Sequence, residues 1–125
     1  MASNEFYDQI NAAVGAHGSW KFRLRQEVSR GTAGNIVNEA GDYNNCAFGK
    51  WLRSLDVTER NRPEAAEVIK LHQAFHNCAR KVATECGCGH SDAAKTLLEG
   101  ELTNLSKQLT SAMTRWKLKK LAEAA

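Results

Sequence analysis

The sequence predicts an all-α fold: an antiparallel helical bundle of three long helices plus a connector that carries a short helix. Three observations predict it. Apolar residues recur in steps of three and four over long stretches, the period of one helix face. A single proline and few β-branched runs favour helix over strand. Glycine and asparagine gather between the periodic stretches, where a helical chain must turn. At 125 residues the chain has the length of one domain, residues 1–125, and can bury a core without staples. Its 42% hydrophobic and 25% charged residues are those of a folded protein rather than a disordered one.

Helix one is expected from about Ser3 to Arg30, with Ser3 or Asn4 as its cap. Its stripe is Phe6, Ile10, Ala13, Trp20, Leu24 and Val28, and the step left open in the middle is taken by His17. Gly15 and Gly18 flank that histidine. Each glycine costs about 1 kcal/mol relative to alanine in a helix interior, so close approach of another backbone, or room for a ligand, is expected there. A connector follows from Gly31 to Asn45, in which Ile36 and Val37 form a short helical turn. Asn44 or Asn45 caps a short helix from Cys46 to about Ser54, and Asp56 to Asn61 is a polar link.

Pro63 suits the first position of helix three, where its missing N–H does no harm. That helix is expected to reach about Glu85, with Val68, His72, Phe75, His76, Ala79 and Val82 on its inner face and Gly87 and Gly89 stopping it. Ser91 and Asp92 start helix four, which runs to about Ala122 with the stripe Leu98, Leu102, Leu105, Leu109, Ala112 and Trp116. Stripes of this kind must pack on one another, which makes a bundle. Leu97, Met113, Leu118 and Leu121 lie off the main stripe and form either a dimer surface or a broader core face.

The net charge of +3 bears on solubility more than on partners. Basic residues gather at Lys21, Arg23 and Arg25 and again at Arg115, Lys117, Lys119 and Lys120, interrupted by core positions. They read as solvated helix faces, and no motif points to nucleic acid. No run of eighteen apolar residues is present to span a membrane. The start, Met1-Ala2-Ser3-Asn4-Glu5, lacks the basic and apolar stretches of a secretory signal. A cytoplasmic location is therefore expected, where the four cysteines serve as thiols or metal ligands rather than disulfides.

Chemistry concentrates in four residues. His72 and His76 are one helical turn apart, so their rings leave the same face. His17 sits on the core face of helix one. Cys46 opens the short helix, where the dipole and free N–H groups stabilise a thiolate, the metal-binding form. Singly, each has a bland reading as core filler. Together, three of the chain's four histidines fall on inward faces. Unpartnered, each buried imidazole would cost roughly 1–3 kcal/mol, and one shared metal satisfies all of them. Three nitrogens and a sulfur make a tetrahedral set that zinc accepts. Four protein ligands leave no position for a catalytic water, so a sensor or regulatory module is expected rather than an enzyme. Two other classes compete. A hemerythrin-like iron bundle needs more histidines and bridging carboxylates, and none of the inward positions is acidic. A structural or adaptor bundle would leave the histidines merely buried.

The blocks His17-Gly18-Ser19-Trp20, Cys46-Ala47-Phe48-Gly49-Lys50-Trp51 and His72-Gln73-Ala74-Phe75-His76 stand in this order, separated by residues 21–45 and 52–71. In this the chain resembles the chemoreceptor zinc-binding domain family, whose motif is His-x-x-aromatic, Cys-x-hydrophobic-Gly-x-aromatic and His-x-x-x-His. The resemblance spans nearly the whole chain. It implies a helical bundle that holds zinc through His17, Cys46, His72 and His76, with Trp20, Phe48, Gly49 and Trp51 walling the site. It further implies a homodimer in bacterial cytoplasmic signalling, attached to chemoreceptor or diguanylate cyclase output modules or standing alone. The signal implied is zinc itself or an oxidant such as hypochlorous acid, with Cys46 as the redox switch. No chemotaxis coiled coil and no cyclase signature is present in the sequence, so the chain is expected to be a standalone member or a fragment.

Cys86-Gly87-Cys88-Gly89-His90 offers two further thiols and an imidazole at the turn between helices three and four. The spacing is one short of the Cys-x-x-Cys clamp and is not a haem attachment motif, so a second metal is not expected. Cys78 is expected at a helix surface or edge without a role of its own.

Overall fold

A computed structural model describes residues 4–42 and 46–124. The order is α1 (Asn4–Arg30), a 3₁₀ turn (Ala33–Ile36), α2 (Val37–Gly41), α3 (Ala47–Ser54), α4 (Val57–Arg60), α5 (Pro63–Gly87), α6 (Ser91–Leu97), a π turn (Leu98–Leu102) and α7 (Thr103–Ala124). No strand occurs among the described residues, so the all-α bundle holds. Ser3, Asn44 and Asn45, expected as caps, lie outside the described residues.

α1 buries Phe6, Ile10, Ala13, His17, Leu24 and Val28, the anticipated stripe except that Trp20 is only partly covered. Two glycines in the left-handed region end the long helices. Gly31 (φ 74°) lets Thr32 N–H reach the Glu27 carbonyl at 2.9 Å, and Gly89 (φ 80°) lets His90 N–H reach the Glu85 carbonyl at 2.8 Å.

α5 is the hub, touching α1, α2, α6, α7 and the 3₁₀ turn. A helix packed on several sides buries more than one stripe, and α5 buries Ala65, Val68, His72, Phe75, His76, Cys78, Ala79, Val82, Ala83 and Cys86. Cys78 is therefore no surface residue: it is 1% exposed, and burial, reinforced by Glu101, pushes its thiol up to about 11.

Residues 33–41 of the connector are helical. The 3₁₀ turn and α2 lie on α5, and the contact is glycine on glycine: a Cβ at Gly34 would fall 2.5 Å from Gly87 Cα. Gly15 and Gly18 prove to be the wrong glycines for close approach, since a Cβ at either meets nothing within 4 Å. The polar link contains a helical turn, α4, capped by the Asp56 side chain, which accepts from Glu59 N–H at 2.8 Å.

Helix four is not continuous. The π turn interrupts it around Gly100, and Thr103 Oγ1 donates to the Leu98 carbonyl at 2.8 Å. Beyond it the buried face holds Leu109, Ala112 and Trp116 and widens to Met113, while Leu105 is only partly covered. Met113 thus belongs to the core and Leu97 is half-buried, while Leu118 and Leu121 remain 58% and 45% exposed. Trp116 is wholly enclosed; its Nε1 donates to Glu59 at 3.2 Å, and its ring meets Phe6 and Trp51 at 5.0 and 5.7 Å.

Candidate metal centre

α1, the cap of α3 and α5 deliver four side chains to one point. His17, Cys46, His72 and His76 offer ligand atoms that all lie within 4.8 Å of one another. All three histidines are buried, and Cys46 is half-buried.

Second partners fix the rings. His17 Nδ1 lies 2.8 Å from the Ala13 carbonyl, and His76 Nδ1 lies 2.9 Å from the Ala40 carbonyl. A carbonyl only accepts, so each Nδ1 carries the proton and each Nε2 keeps its lone pair free for a metal. Sγ of Cys46 stands 3.9 Å from His17 Nε2. The rings meet edge to face: His72 lies 4.7 Å from His76 and 5.0 Å from His17, centroid to centroid.

The donor set fits zinc on two grounds. First, Nε2 of His76 is sealed from solvent and makes no hydrogen bond to any described residue, an arrangement that costs roughly 1–3 kcal/mol unless something else binds there. Second, Zn–N and Zn–S bonds of about 2.05 and 2.3 Å give tetrahedral N···N and N···S edges of about 3.4 and 3.6 Å. The observed spread closes to those edges with shifts of about 1 Å or less.

The electrostatics prepare the same protonation states. Burial, then the neighbouring His76 and His17, brings His72 down to about 3, and burial lowers His17 against the pull of the Ala13 carbonyl. Both rings are therefore neutral at ordinary pH, the form that binds metal. Burial pushes the Cys46 thiol up, but the His76 imidazole and the N–H groups of Gly49 and Phe48 outweigh it and hold the thiol below its ordinary value. Those N–H groups are available because Cys46 is the N-cap of α3 (φ −59°, ψ 135°).

The expected wall residues take distinct places. Phe48 is buried edge-on to His17 and His72, at 5.8 and 5.3 Å. Trp51 stacks on Phe48 at 5.7 Å, one layer further out. Gly49 is buried and serves through its N–H. Trp20 lines the cleft that leads to Cys46. Sequence reasoning missed three contributors. Phe75 also meets His17 and His76 edge-on, at 5.4 and 5.6 Å, and its place inside His-x-x-Phe-His was a usable signal. The Ala13 and Ala40 carbonyls had none, because every residue carries one.

Among the described residues this is the one cluster of three or more converging metal-type ligands. Cys86 is buried, Cys88 is exposed, and His90 turns to Glu85 at 2.9 Å, so the three do not gather. No carboxylate belongs to the converging group, which a bridged iron pair would need. No described helix is long and apolar enough to cross a membrane.

No curated protein and no solved structure matches the chain. The family model for the chemoreceptor zinc-binding domain matches residues 17–83, more than half the chain and a span that holds all four converging ligands. The chain belongs to the chemoreceptor zinc-binding domain family.

Proposed function

We propose that this protein is a zinc-binding regulatory module of bacterial cytoplasmic signalling, not an enzyme, and that Cys46 is its redox switch. The observation that carries the reading is the convergence of His17, Cys46, His72 and His76, with two imidazoles already held in the metal-binding tautomer. When bound, zinc ties α1, α3 and α5 together, so its binding energy is folding energy. Four protein ligands leave no open position for a substrate water.

Cys46 differs from its three co-ligands. It alone is partly exposed, its thiol is held low, and it caps the short helix α3. A thiolate in such a setting is the group an oxidant attacks first. With hypochlorous acid the balance is RS⁻ + HOCl → RSOH + Cl⁻: sulfur loses two electrons, chlorine gains them, and the S–O bond replaces the O–Cl bond. The sulfenic product donates less charge than the thiolate, which frees α3 to move. The output is a chemoreceptor or diguanylate cyclase partner, and the working form is a homodimer.

Elemental analysis of protein purified without added metal comes first. About one zinc per chain, lost in His72→Ala, is the expected result. Iron, or no metal with melting unchanged by a chelator, overturns the reading in favour of a hemerythrin-like or a purely structural bundle. Hypochlorous acid is then titrated into wild type and Cys46→Ser while far-UV circular dichroism and zinc content are followed. A structural change in wild type that is absent from zinc-loaded Cys46→Ser supports the switch; a change that persists in the variant refutes it and leaves zinc occupancy as the signal.

A further inference from the structure

The metal centre meets solvent beside Cys46. The three histidines are 4% exposed or less, so an ion reaches them past Cys46. A cleft of about 250 Å³ opens there, lined by Trp20, Glu39, Asp42, Cys46 and His76. His76, 1% exposed, is its inner end, with Nε2 making no hydrogen bond to any described residue. The outer end carries two carboxylates from α2 and the residue after it. Arg23 of α1 holds Glu39 through two hydrogen bonds, at 2.8 and 3.3 Å, and its guanidinium lies 5.3 Å from the Trp20 ring centre.

A hydrated Zn²⁺ must exchange its waters for protein ligands on the way in. Carboxylate oxygens bind zinc at about 2.0–2.2 Å, and two of them on an open rim hold it less firmly than a closed set of three nitrogens and a sulfur. We propose that Glu39 and Asp42 form a carboxylate relay for Zn²⁺ between solvent and the Cys46–His76 side of the centre, and that Arg23 governs the relay by competing with the ion for Glu39. The inference rests on the zinc-binding reading above. A relay replaces water by carboxylate and carboxylate by histidine in steps, so it lowers the barrier for uptake and release alike. It changes both rates and leaves the affinity where the four ligands set it. The fork of Arg23 engages both Glu39 oxygens, so the guanidinium and the ion compete for one carboxylate.

The test uses the full chain and zinc itself. Wild-type stoichiometry is measured first. Release into excess chromogenic chelator and uptake from a buffered Zn²⁺ pool are then followed by stopped flow, and the dissociation constant by chelator competition. The Glu39→Gln, Asp42→Asn double variant is expected to slow uptake and release by about tenfold each, the low end of what a charge-lined cleft does to a rate, with the dissociation constant within about twofold of wild type. Arg23→Gln breaks the same ion pair but is expected to speed both directions. Unchanged rates in the double variant overturn the relay. So does slower uptake alone with weaker affinity, which is general attraction, and so does slower exchange in Arg23→Gln, which makes the pair a structural strut. A wild type that binds no zinc removes the parent reading as well; one zinc per chain with wild-type rates in the variants removes the relay alone.

Discussion

Gly34→Ala tests whether a backbone contact remote from zinc sets the metal site. The added Cβ would lie 2.5 Å from Gly87 Cα and 3.1 Å from Gly87 N. Carbon atoms in contact sit about 3.5–4.0 Å apart, so the 3₁₀ turn and α2 must lift from α5 by about 1 Å. Neither obstructing atom belongs to a flexible side chain, so neither can swing aside. The lift carries the Ala40 carbonyl away from His76 Nδ1, now at 2.9 Å, to about 3.9 Å, beyond hydrogen-bonding range. Overpacking of this kind costs about 1–3 kcal/mol. At roughly 4 °C per kcal/mol for a domain of this size, Tm falls by about 4–12 °C. Loss of the partner that orients a metal-binding histidine lowers zinc affinity by about 10–100-fold. Thermal melting of the chelator-treated protein reads the first effect, and chelator competition reads the second. Gly87→Ala is the graded control, since its Cβ meets only Gly34 Cα, at 3.1 Å, and both effects should be smaller. A Gly34→Ala protein with the Tm and zinc affinity of wild type would refute the reasoning.

The remaining predictions have different signs. Gly15→Ala and Gly18→Ala have open space and helical backbone, so each should raise stability by about 0.5–1 kcal/mol in chemical denaturation; destabilisation would mean that the space is used. In metal-free protein His72 stays neutral down to about 3 against an ordinary value of 6.5, so the unfolded chain binds the extra proton between those values. Stability is therefore full above 6.5 and is lost as pH falls toward 3, with His17 adding in the same direction, and a denaturation profile that is flat across that window would contradict it. In zinc-loaded native protein a thiol reagent should modify the exposed Cys88 at once and the buried Cys78, whose thiol is pushed up to about 11, only on unfolding; equal rates would contradict the burial.

Much of the metal centre was legible because its signals are local. The open step at His17 within the stripe from Ala13 to Trp20 and the one-turn spacing of His72 and His76 are statements about helix period, and the structure buries all three rings. Cys46 was legible as a helix opener, and it is the N-cap of α3. The bundle followed from the same periodicity. Period fails where a helix has several neighbours: α5 buries Cys78 and Cys86 because the 3₁₀ turn, α2, α6 and α7 surround it, and a single-stripe expectation has no place for that. Met113, left open between a dimer surface and a broader core face, is buried beside Leu109, Ala112 and Trp116, so α7 presents the broader face.

By itself the sequence determined the all-α class, the long helices α1 and α5 and the four converging ligands, since side-chain identity and spacing encode what one element presents to its neighbours. Only the tertiary structure decided which glycines are close contacts, Gly34 and Gly87 rather than Gly15 and Gly18, because that depends on how two distant segments cross. It also decided that the Ala40 carbonyl orients His76, and that Glu39 and Asp42 line the cleft leading to Cys46 with Arg23 bound to Glu39. A backbone carbonyl has no residue-specific signature, and charges sixteen residues apart become an ion pair only when the fold brings Arg23 and Glu39 within reach.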